Sequence, residues 1–368
     1  MSVSRPGALR RALVLLAAWS ALTVVAVSSA PPASAASSSV ASPRAHRAYV
    51  VTISDPRVSG DVSAATATRV TRSAANYWTS ESRGAITAFP VKSTRTMRIS
   101  GSCGLTATQL WSRAAKRFPG VDFSKKANHL VVYSPTGCRY GYSGLANAGT
   151  LHSGGKVHMV YPRMNLVAHE LGHNLGLMHS NLRTGKGSST RTSEYYGLYG
   201  PMGIGMGTGY APGALGAAQR AYLGLPGEAR ATVSLDTSKA QTRTVTLSPT
   251  HTRGGTRAVR ITDKRTKISY YLEYRNARGT DAGAYYASGL FGPLTVQYRS
   301  VVYRSGLLAT QAKRRGGVEV LSTGRSGRWH TTHRTGQTFS SSGVPFTATV
   351  VSQTATTMKV RISVKRSV

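Results

Sequence analysis

Acidic residues and cysteine are scarce in this sequence of 368 residues. Only 12 residues are Asp or Glu, against 47 Lys or Arg, so the formal net charge at pH 7 is +35. So few acids argue against calcium cages built from several carboxylates. The only two cysteines, Cys103 and Cys138, are distant in sequence from the clustered histidines, so a thiolate metal ligand is not indicated. No segment is repeated at a fixed period.

A long apolar run occurs only near the N-terminus. Residues 12–27 are apolar; three arginines precede them, and the small residues Ala33-Ser34-Ala35 follow. This order is typical of an export signal. The run is too short, and two prolines follow it too closely, for a membrane span. We predict a signal peptide over residues 1–35 that is cleaved after Ala35, a Ser/Ala-rich linker over residues 36–46, and a secreted mature chain without a transmembrane segment.

A cluster of histidines lies near the middle of the chain, where residues 169–179 read His-Glu-Leu-Gly-His-Asn-Leu-Gly-Leu-Met-His. In a helix, His169 and His173 lie one turn apart on one face, about 6 Å apart along the axis, so their imidazoles could share one zinc ion. In an unbroken helix His179 would lie about 15 Å beyond His169. Gly176 can break the helix because glycine adopts a left-handed conformation without steric cost. The reversed chain would then bring His179 back as a third ligand.

Three protein ligands leave the fourth position of a zinc ion open, which is the pattern of a catalytic site. Glu170 lies about 100° around the helix from His169, beside that position, where it could take a proton from water. Zinc lowers the pKa of bound water towards about 7, so hydroxide could attack a peptide carbonyl at neutral pH. Ordinary helix histidines are the alternative, but three His, one Glu and one Gly in a frame of 11 residues argue against it.

The histidine stretch fits the metzincin signature H-E-x-x-H-x-x-G-x-x-H without a mismatch, and the sequence resembles that family. Metzincins carry a methionine turn beneath the zinc, and residues 196–203 are similar to it. Met202 is the predicted turn methionine, and Met206, in a similar Gly-Met-Gly context, is the alternative. Within the metzincins, the sequence most resembles gametolysin-like secreted peptidases over about residues 47–225. That resemblance rests on the zinc motif and on Gly137-Cys138, Gly144-Leu145-Ala146, Glu194-Tyr195-Tyr196-Gly197 and Pro201-Met202-Gly203.

The sequence also departs from some metzincins. Snapalysin-type peptidases carry an aspartate as the third ligand, whereas this chain has His179. Astacin-like metzincins place a tyrosine two residues after the turn methionine, a position that is Ile204 here. The tyrosine role is therefore left open among Tyr196, Tyr199 and Tyr210. No cysteine precedes Cys103 that could block the zinc from a prosegment.

The resemblance implies an α+β catalytic domain over residues 47–225, with a twisted mixed sheet and long helices, one of which carries the zinc motif. Residue patterns predict strands over 48–53, 85–91, 129–133 and 157–161. They also predict helices from a cap at Asp61 to Gly84, over 105–118 and over 211–224. In metzincins the fourth strand runs antiparallel at the sheet edge and forms the rim of the cleft. We assign that role to residues 157–161, so a peptide substrate should pair there and contact Met159. His158, on the same strand, is expected to be an ordinary surface or core histidine.

Alternating polar and apolar residues dominate after the Pro226-Gly227 boundary. Strands are predicted over residues 243–247, 256–261, 267–273, 318–321, 345–351 and 358–364. We predict that residues 226–368 form an all-β, sandwich-like domain with antiparallel strands.

Charge and cysteine indicate the environment and the partners. In an exported protein an even pair of cysteines indicates a Cys103–Cys138 disulfide, with two free buried thiols as the alternative. Removal of residues 1–35 takes away three arginines and no acid, so the net charge becomes 44 minus 12, or +32. Such a charge favours weak electrostatic contact with nucleic acid or anionic wall polymers, or is a general solubility trait.

The sequence therefore predicts a secreted, monomeric zinc endopeptidase that acts on proteins or peptides. His169, His173 and His179 would hold one catalytic zinc ion, and Glu170 would act as general base and then as proton donor. The alternative is an exported adhesion protein that binds polyanions or cell-wall material and whose zinc helix is not catalytic.

Overall fold

The structure is a computed structural model that describes residues 40–185, 187–203, 210–287, 294–325, 327–341 and 343–367. These residues contain four α-helices: α1 (Ala64–Glu81), α2 (Ala107–Ala115), α3 (Met164–Asn174) and α4 (Ala217–Tyr222). Nine of the described strands precede α4: β1 (Arg44–Ala45), β2 (Arg47–Ser54), β3 (Ile86–Ala88), β4 (Val91–Arg98), β5 (Asn128–Tyr133), β6 (Gly144–Ala146), β7 (Gly155–Met159), β8 (Ser180–Thr184) and β9 (Arg191–Ser193).

The described strands that follow α4 are short and closely spaced. They are β10 (Thr232–Asp236), β11 (Gln241–Leu247), β12 (Ala258–Thr262), β13 (Ser269–Arg275), β14 (Leu294–Val296), β15 (Arg299–Val302), β16 (Gly306–Ala312), β17 (Val318–Leu321), β18 (Thr323–Arg325), β19 (Arg328–His330), β20 (Thr332–His333), β21 (Thr338–Phe339), β22 (Phe346–Gln353) and β23 (Met358–Val364). Within the residues described, no helix has the length and apolar character needed to cross a membrane.

A five-stranded sheet with the order β4-β2-β5-β7-β6 forms the centre of the N-terminal half. The first four strands are parallel, and β6 runs antiparallel to β7 at the edge. β2 is apolar over residues 48–53 apart from Thr52 and is mostly buried there, which is typical of a strand whose two faces are covered. Its Val50 packs in one cluster with residues of α1 and α3, and its Val51 packs in another with residues of α2. α3 is thereby held against one face of the sheet.

The predicted edge strand was wrong. Residues 157–161 were expected to form the rim of the cleft, but β7 lies inside the sheet, parallel to β5. The antiparallel edge strand is β6, Gly144–Ala146, which is too short to show an alternating pattern in the sequence. Met159 is fully buried and cannot contact a substrate as expected. His158 is buried too, so of the two places predicted for it, surface or core, it occupies the core.

Several predicted boundaries also shift. α1 is capped by Ser63 rather than Asp61, because the Ser63 hydroxyl accepts from the Thr66 N–H at 3.2 Å. The predicted strand over 85–91 is divided into β3 and β4 around Phe89-Pro90, since proline lacks the N–H that a strand ladder needs. The closing helix predicted over 211–224 is limited to α4. The overall mixture of few helices and many strands agrees with an α/β region followed by a β-rich region.

Two packed sheets form most of the C-terminal half. One has the order β10-β12-β13-β16-β17-β8-β9, with β20 also paired to β16, and the other has the order β11-β23-β22-β21. A single hydrophobic cluster contains side chains of both, such as Leu272 on β13 and Ile362 on β23, so the sheets pack face to face. The larger sheet is mixed rather than antiparallel, because β10 pairs with β12 and β17 with β8 in parallel. β8 and β9 precede residue 226, and the division into domains over 47–225 and 226–368 stays a prediction.

Cys103 and Cys138 form the predicted disulfide. It joins the turn before α2 to the loop that follows β5. Beside it, the Asp55 carboxylate accepts hydrogen bonds from the N–H of Ser102 at 2.6 Å and from its hydroxyl at 2.8 Å. This region is therefore cross-linked both covalently and by hydrogen bonds.

Candidate metal centre

The chain reverses direction at Gly176, just after α3. Gly176 has a φ of 100°. Its N–H donates to the carbonyl of His173, and the N–H of Leu177 donates to the carbonyl of Gly172, both at 2.9 Å. These two bonds form a Schellman motif, which ends a helix at a left-handed residue. A Cβ atom at residue 176 would also lie 3.1 Å from the carbonyl oxygen of Gly149, so the available space as well as the conformation favours glycine.

The reversal brings the three predicted histidine ligands together. One ring nitrogen each from His169, His173 and His179 lies within 4.8 Å of the others. The Nε2 atoms of His173 and His179 are 3.1 Å apart. Two nitrogens bound tetrahedrally to one zinc ion at about 2.0–2.1 Å would be about 3.3 Å apart. The spacing of these side chains therefore fits a single zinc ion.

Backbone carbonyls orient the two helix histidines. Nδ1 of His169 donates to the carbonyls of Pro201 at 3.0 Å and Gly203 at 3.1 Å, and Nδ1 of His173 donates to the carbonyl of Leu177 at 2.7 Å. A carbonyl oxygen can only accept, so a neutral ring has its proton on Nδ1 and a lone pair on Nε2. A carbonyl that accepts from the outer nitrogen of a metal-binding histidine fixes the orientation of its ring. Nε2 is thus the atom available to zinc in both rings.

Burial keeps these imidazoles neutral. Desolvation, together with the other histidines of the triad, lowers the pKa of His169 to about 3. Desolvation and His179 lower the pKa of His173 to about 4. Neutral imidazole is the form that binds a metal ion, because the protonated ring has no free lone pair. At neutral pH the site is therefore ready for a cation without losing protons first.

Glu194 orients the third histidine, His179, and this contact was not predicted from the sequence. Its Oε1 is 2.6 Å from Nδ1 of His179, although its side chain is 61% exposed. Burial lowers the pKa of His179, and the hydrogen bond that its Nδ1 donates to Glu194 opposes that shift. A carboxylate on the outer nitrogen of a zinc-binding histidine makes the inner nitrogen more basic. In the sequence, Glu194 stood out only as part of a segment that resembles gametolysin-like peptidases.

Glu170 is buried on the same helix, between the two histidines in sequence, and is 6% exposed. Burial raises the pKa of its carboxyl to about 8. A divalent cation held by the neighbouring imidazoles would favour the charged carboxylate and oppose this shift. Its carboxylate also lies against Gly144 of the edge strand β6, where a Cβ atom would be 2.7 Å from Oε1. Glu170 thus follows His169 directly in α3 and lies against the edge strand of the sheet.

Met202 is fully buried and packs against α3. The first atom that a Cβ at Gly172 would meet is Sδ of Met202, and the next is a ring carbon of Trp78. The carbonyl of Met202 accepts from the N–H of Ser180 at 2.7 Å, next to the third histidine. Met202 therefore lies against the helix that carries His169 and His173, and its role as the turn methionine stays a prediction. The alternative, Met206, lies outside the described residues, as does Ile204.

The tyrosines near the methionine turn occupy different places. Tyr199 packs on Tyr286 with ring centroids 4.7 Å apart, and Tyr210 lies 5.4 Å from Tyr285. Tyr196 belongs to the same hydrophobic cluster as Tyr199. Tyr195, which was not among the candidates, has its ring centroid 4.0 Å from that of His179. It has a φ of 67°, and no periodic pattern in the sequence indicates this backbone conformation.

Residues 70–180 match the model of metallo-peptidase family M12B, reprolysin-like. The matched segment runs from α1 through α3 to just beyond His179. It supports membership of a metallopeptidase family, and M12B metallopeptidases use zinc, in agreement with the histidine triad. The likeness to gametolysin-like peptidases is a finer assignment that this match does not test. No curated protein and no solved structure was found to match the chain.

A pocket lies beside the metallopeptidase motif. The carbonyls of Pro201 and Gly203, which orient His169, belong to residues that line it. Its wall combines residues from the start of α3, the methionine turn and the C-terminal half. The lining residues are Asn165, Leu198, Gly200, Pro201, Gly203, Tyr210, Ala211, Pro212, Gly213 and Tyr285.

Proposed function

We propose that the protein is a secreted zinc-dependent endopeptidase. The observation that carries this proposal is the convergence of three histidine nitrogens beside a buried glutamate, on a segment that matches a metallopeptidase family. His169, His173 and His179 would hold the ion. A zinc ion held there would supply Lewis-acid chemistry, polarising the substrate carbonyl and lowering the pKa of water.

Glu170 is the proposed general base. Its carboxylate would accept a proton from the attacking water and then deliver that proton to the nitrogen of the leaving amine. A buried carboxylate suits both steps because burial raises its pKa to about 8 and a bound cation would lower it, so that both accepting and returning a proton become feasible near neutral pH. Glu194 would keep the ring of His179 in its binding orientation throughout.

The edge strand β6 is the proposed site of substrate pairing. Only its β7 side is paired within the described sheet, and its Leu145 is 39% exposed. An extended peptide could add to this edge by main-chain hydrogen bonds. Because Gly144 of the same strand contacts Glu170, a peptide bound there would run past the proposed base. This arrangement favours cleavage within a chain over removal of terminal residues.

Secretion and a monomeric state complete the proposal. The export signal predicted over residues 1–35 supports an extracellular location, and that segment lies outside the described residues. The net charge would still permit weak binding to anionic polymers. The family match does not favour the alternative of a non-catalytic adhesion protein.

Cleavage of casein by the purified protein tests the proposed function. We expect hydrolysis that stops when a zinc chelator is added and returns when zinc is restored, with about one zinc ion bound per chain. Sequencing of the new termini in a mixed peptide library would then define the cleavage preference. Intact casein in the presence of zinc, together with retention on wall polymers, would instead support the adhesion protein.

A further inference from the structure

The third histidine lies where the chain enters the sheet of the C-terminal half. β8 begins at Ser180, directly after His179, and pairs in parallel with β17. The carbonyl of His179 accepts from the N–H of Val318 at 3.1 Å. The N–H of Met178 donates to the carbonyl of Arg315 at 3.0 Å. Residues of the C-terminal half therefore bind the backbone of His179 itself and that of the residue before it.

The turn that precedes β17 packs tightly on the same segment. Gly316 has a φ of 65°, and a Cβ atom there would lie 2.5 Å from Cδ1 of Tyr222 and 2.7 Å from Cδ2 of Leu177. At Gly317 a Cβ atom would lie 3.4 Å from Cβ of Met178 and 3.5 Å from the carbonyl oxygen of His179. Gly316 thus allows the turn to approach the chain between Gly176 and β8 closely, and Gly317 lies at ordinary contact distance from the same segment. Movement of this turn would move His179 as well.

Glu319 extends this contact to the partner of His179. Its side chain is 3% exposed and points to the β8–β9 hairpin. Oε1 accepts from the hydroxyl of Thr192 at 2.7 Å, and Oε2 lies 3.2 Å from Nζ of Lys313 and 3.9 Å from the guanidinium of Arg183. Thr192 is two residues before Glu194, the carboxylate that hydrogen-bonds His179. Glu319 therefore holds the strand from which that carboxylate extends.

The two helix histidines are positioned differently. His169 and His173 belong to α3, which packs on the five-stranded sheet of the N-terminal half. A three-histidine centre works only when all three nitrogens keep their relative positions to a few tenths of an ångström. The position of His179 relative to α3 depends on the turn at Gly176 and on the pairing with β17.

We propose that the C-terminal β region is a structural part of the metal centre: β17 positions His179, and Glu319 is a positioning residue that holds Glu194 against it. This inference rests on the proposed function, since it assumes that the triad binds zinc. It assigns a role to the C-terminal half other than attachment to a polymer.

Zinc affinity, measured by competition with a chromophoric chelator, tests this role directly. The full-length mature chain is compared with Glu319→Leu, Glu319→Gln and Glu228→Leu. Glu228 is the matched control, because it is also a buried glutamate with two cationic partners, Arg220 and Arg257. Glu319→Gln keeps an oxygen that can accept from Thr192 and so should restore binding. The absorption spectrum of the cobalt-substituted protein reports the ligand geometry independently of activity.

We expect Glu319→Leu to weaken zinc binding by about tenfold and to change the cobalt spectrum, as loss of outer-shell support does at other sites. Glu319→Gln and Glu228→Leu should bind zinc within about twofold of the wild type. Equal zinc affinity for wild type and folded Glu319→Leu would overturn the inference, and so would an equal loss in Glu228→Leu. A wild type that binds no zinc would overturn the proposed function and this inference with it.

A pair of glycine substitutions covers the case in which Glu319→Leu does not fold. Gly316→Ala adds a methyl group against both Tyr222 and Leu177, whereas Gly336→Ala adds one at a φ of 78° where no atom lies within 4 Å. Both carry the same cost of a left-handed alanine, so their difference reports the pressure on Tyr222 and on Leu177, which lies in the segment before His179. We expect weaker zinc binding only in Gly316→Ala. The same zinc affinity in both variants would count against positioning by this turn.

Discussion

Glu170 lies directly against the backbone of Gly144, so that a Cβ atom at residue 144 would be 2.7 Å from Oε1 of Glu170. Helix α3, which carries His169, and the edge strand β6 therefore meet at Glu170, the proposed base. The contact has no counterpart at Gly141, where a Cβ atom would meet nothing within 4 Å. Neither glycine has a positive φ, so alanine fits the backbone at both positions.

Gly144→Ala should lower kcat by about 10- to 100-fold, because displacement of a catalytic group by less than an ångström costs that much. Zinc content should be unchanged, since no ligand is moved. Gly141→Ala serves as the control and should retain wild-type turnover. Steady-state cleavage of a fluorogenic peptide checks both variants, and equal kcat values would contradict the placement of Glu170.

Glu170→Gln should reduce kcat by a factor of about 10² to 10⁴, because it removes the group that transfers the proton. The three histidines remain, so zinc should still bind with a stoichiometry of one. Kinetics and metal analysis on the same preparation separate the two effects. A fully active variant would show that another group acts as the base.

Met202→Ala should lower the free energy of unfolding by about 2 to 5 kcal/mol, because it leaves a cavity beneath α3. Met202→Leu should cost less than about 1.5 kcal/mol, since it nearly conserves volume. Met97→Ala is the comparison: that methionine is also buried, but it lies on the other face of the sheet. Urea unfolding and zinc affinity are measured together. Only Met202→Ala should weaken zinc binding. An equal loss of zinc affinity in Met97→Ala would contradict a specific role of Met202 in supporting the histidine ligands.

Replacement of both Cys103 and Cys138 by serine should lower the free energy of unfolding by about 3 to 4 kcal/mol. The disulfide closes a loop with a sequence separation of 35, and the unfolded chain regains the corresponding freedom when it is lost. Denaturant unfolding of the double variant checks this value. Treatment of the wild type with a reductant should give a similar loss, whereas no effect of either change would mean that the bond is not formed in solution.

Buried histidines outside the triad should make the protein less stable in acid. Burial lowers the pKa of His129 and of His158 to about 4, from an ordinary value of 6.5. Between these values the unfolded chain binds more protons than the folded one, so stability falls as the pH drops from about 6.5 towards 4. Urea midpoints of the metal-free protein at several pH values test this. In His158→Gln the urea midpoint should fall less steeply as the pH drops. An identical pH dependence of the midpoint in that variant would exclude a contribution from His158.

Local patterns predicted the strands and helices better than their arrangement. β17 and β23 begin and end where the alternating residues do, and the core positions of α1, such as Val70 and Ala74, are buried as their helical spacing indicates. The edge strand β6 was not predicted because its three residues are too few to show the alternation of polar and apolar residues that indicates a strand. Tyr195 and Glu194 could not be assigned because their positions depend on a left-handed turn and on the β8–β9 hairpin, neither of which has a sequence signature here.

By itself, the sequence determined which residues could share a metal ion. The helical spacing of His169 and His173 and the conformational freedom of Gly176 are local properties, and they require only the neighbouring backbone. The tertiary structure alone decided which strand lies at the open edge and what holds His179 in place. Those outcomes depend on contacts such as that between His179 and Val318, which are far apart in the chain, and no local pattern encodes the partner of such a pair.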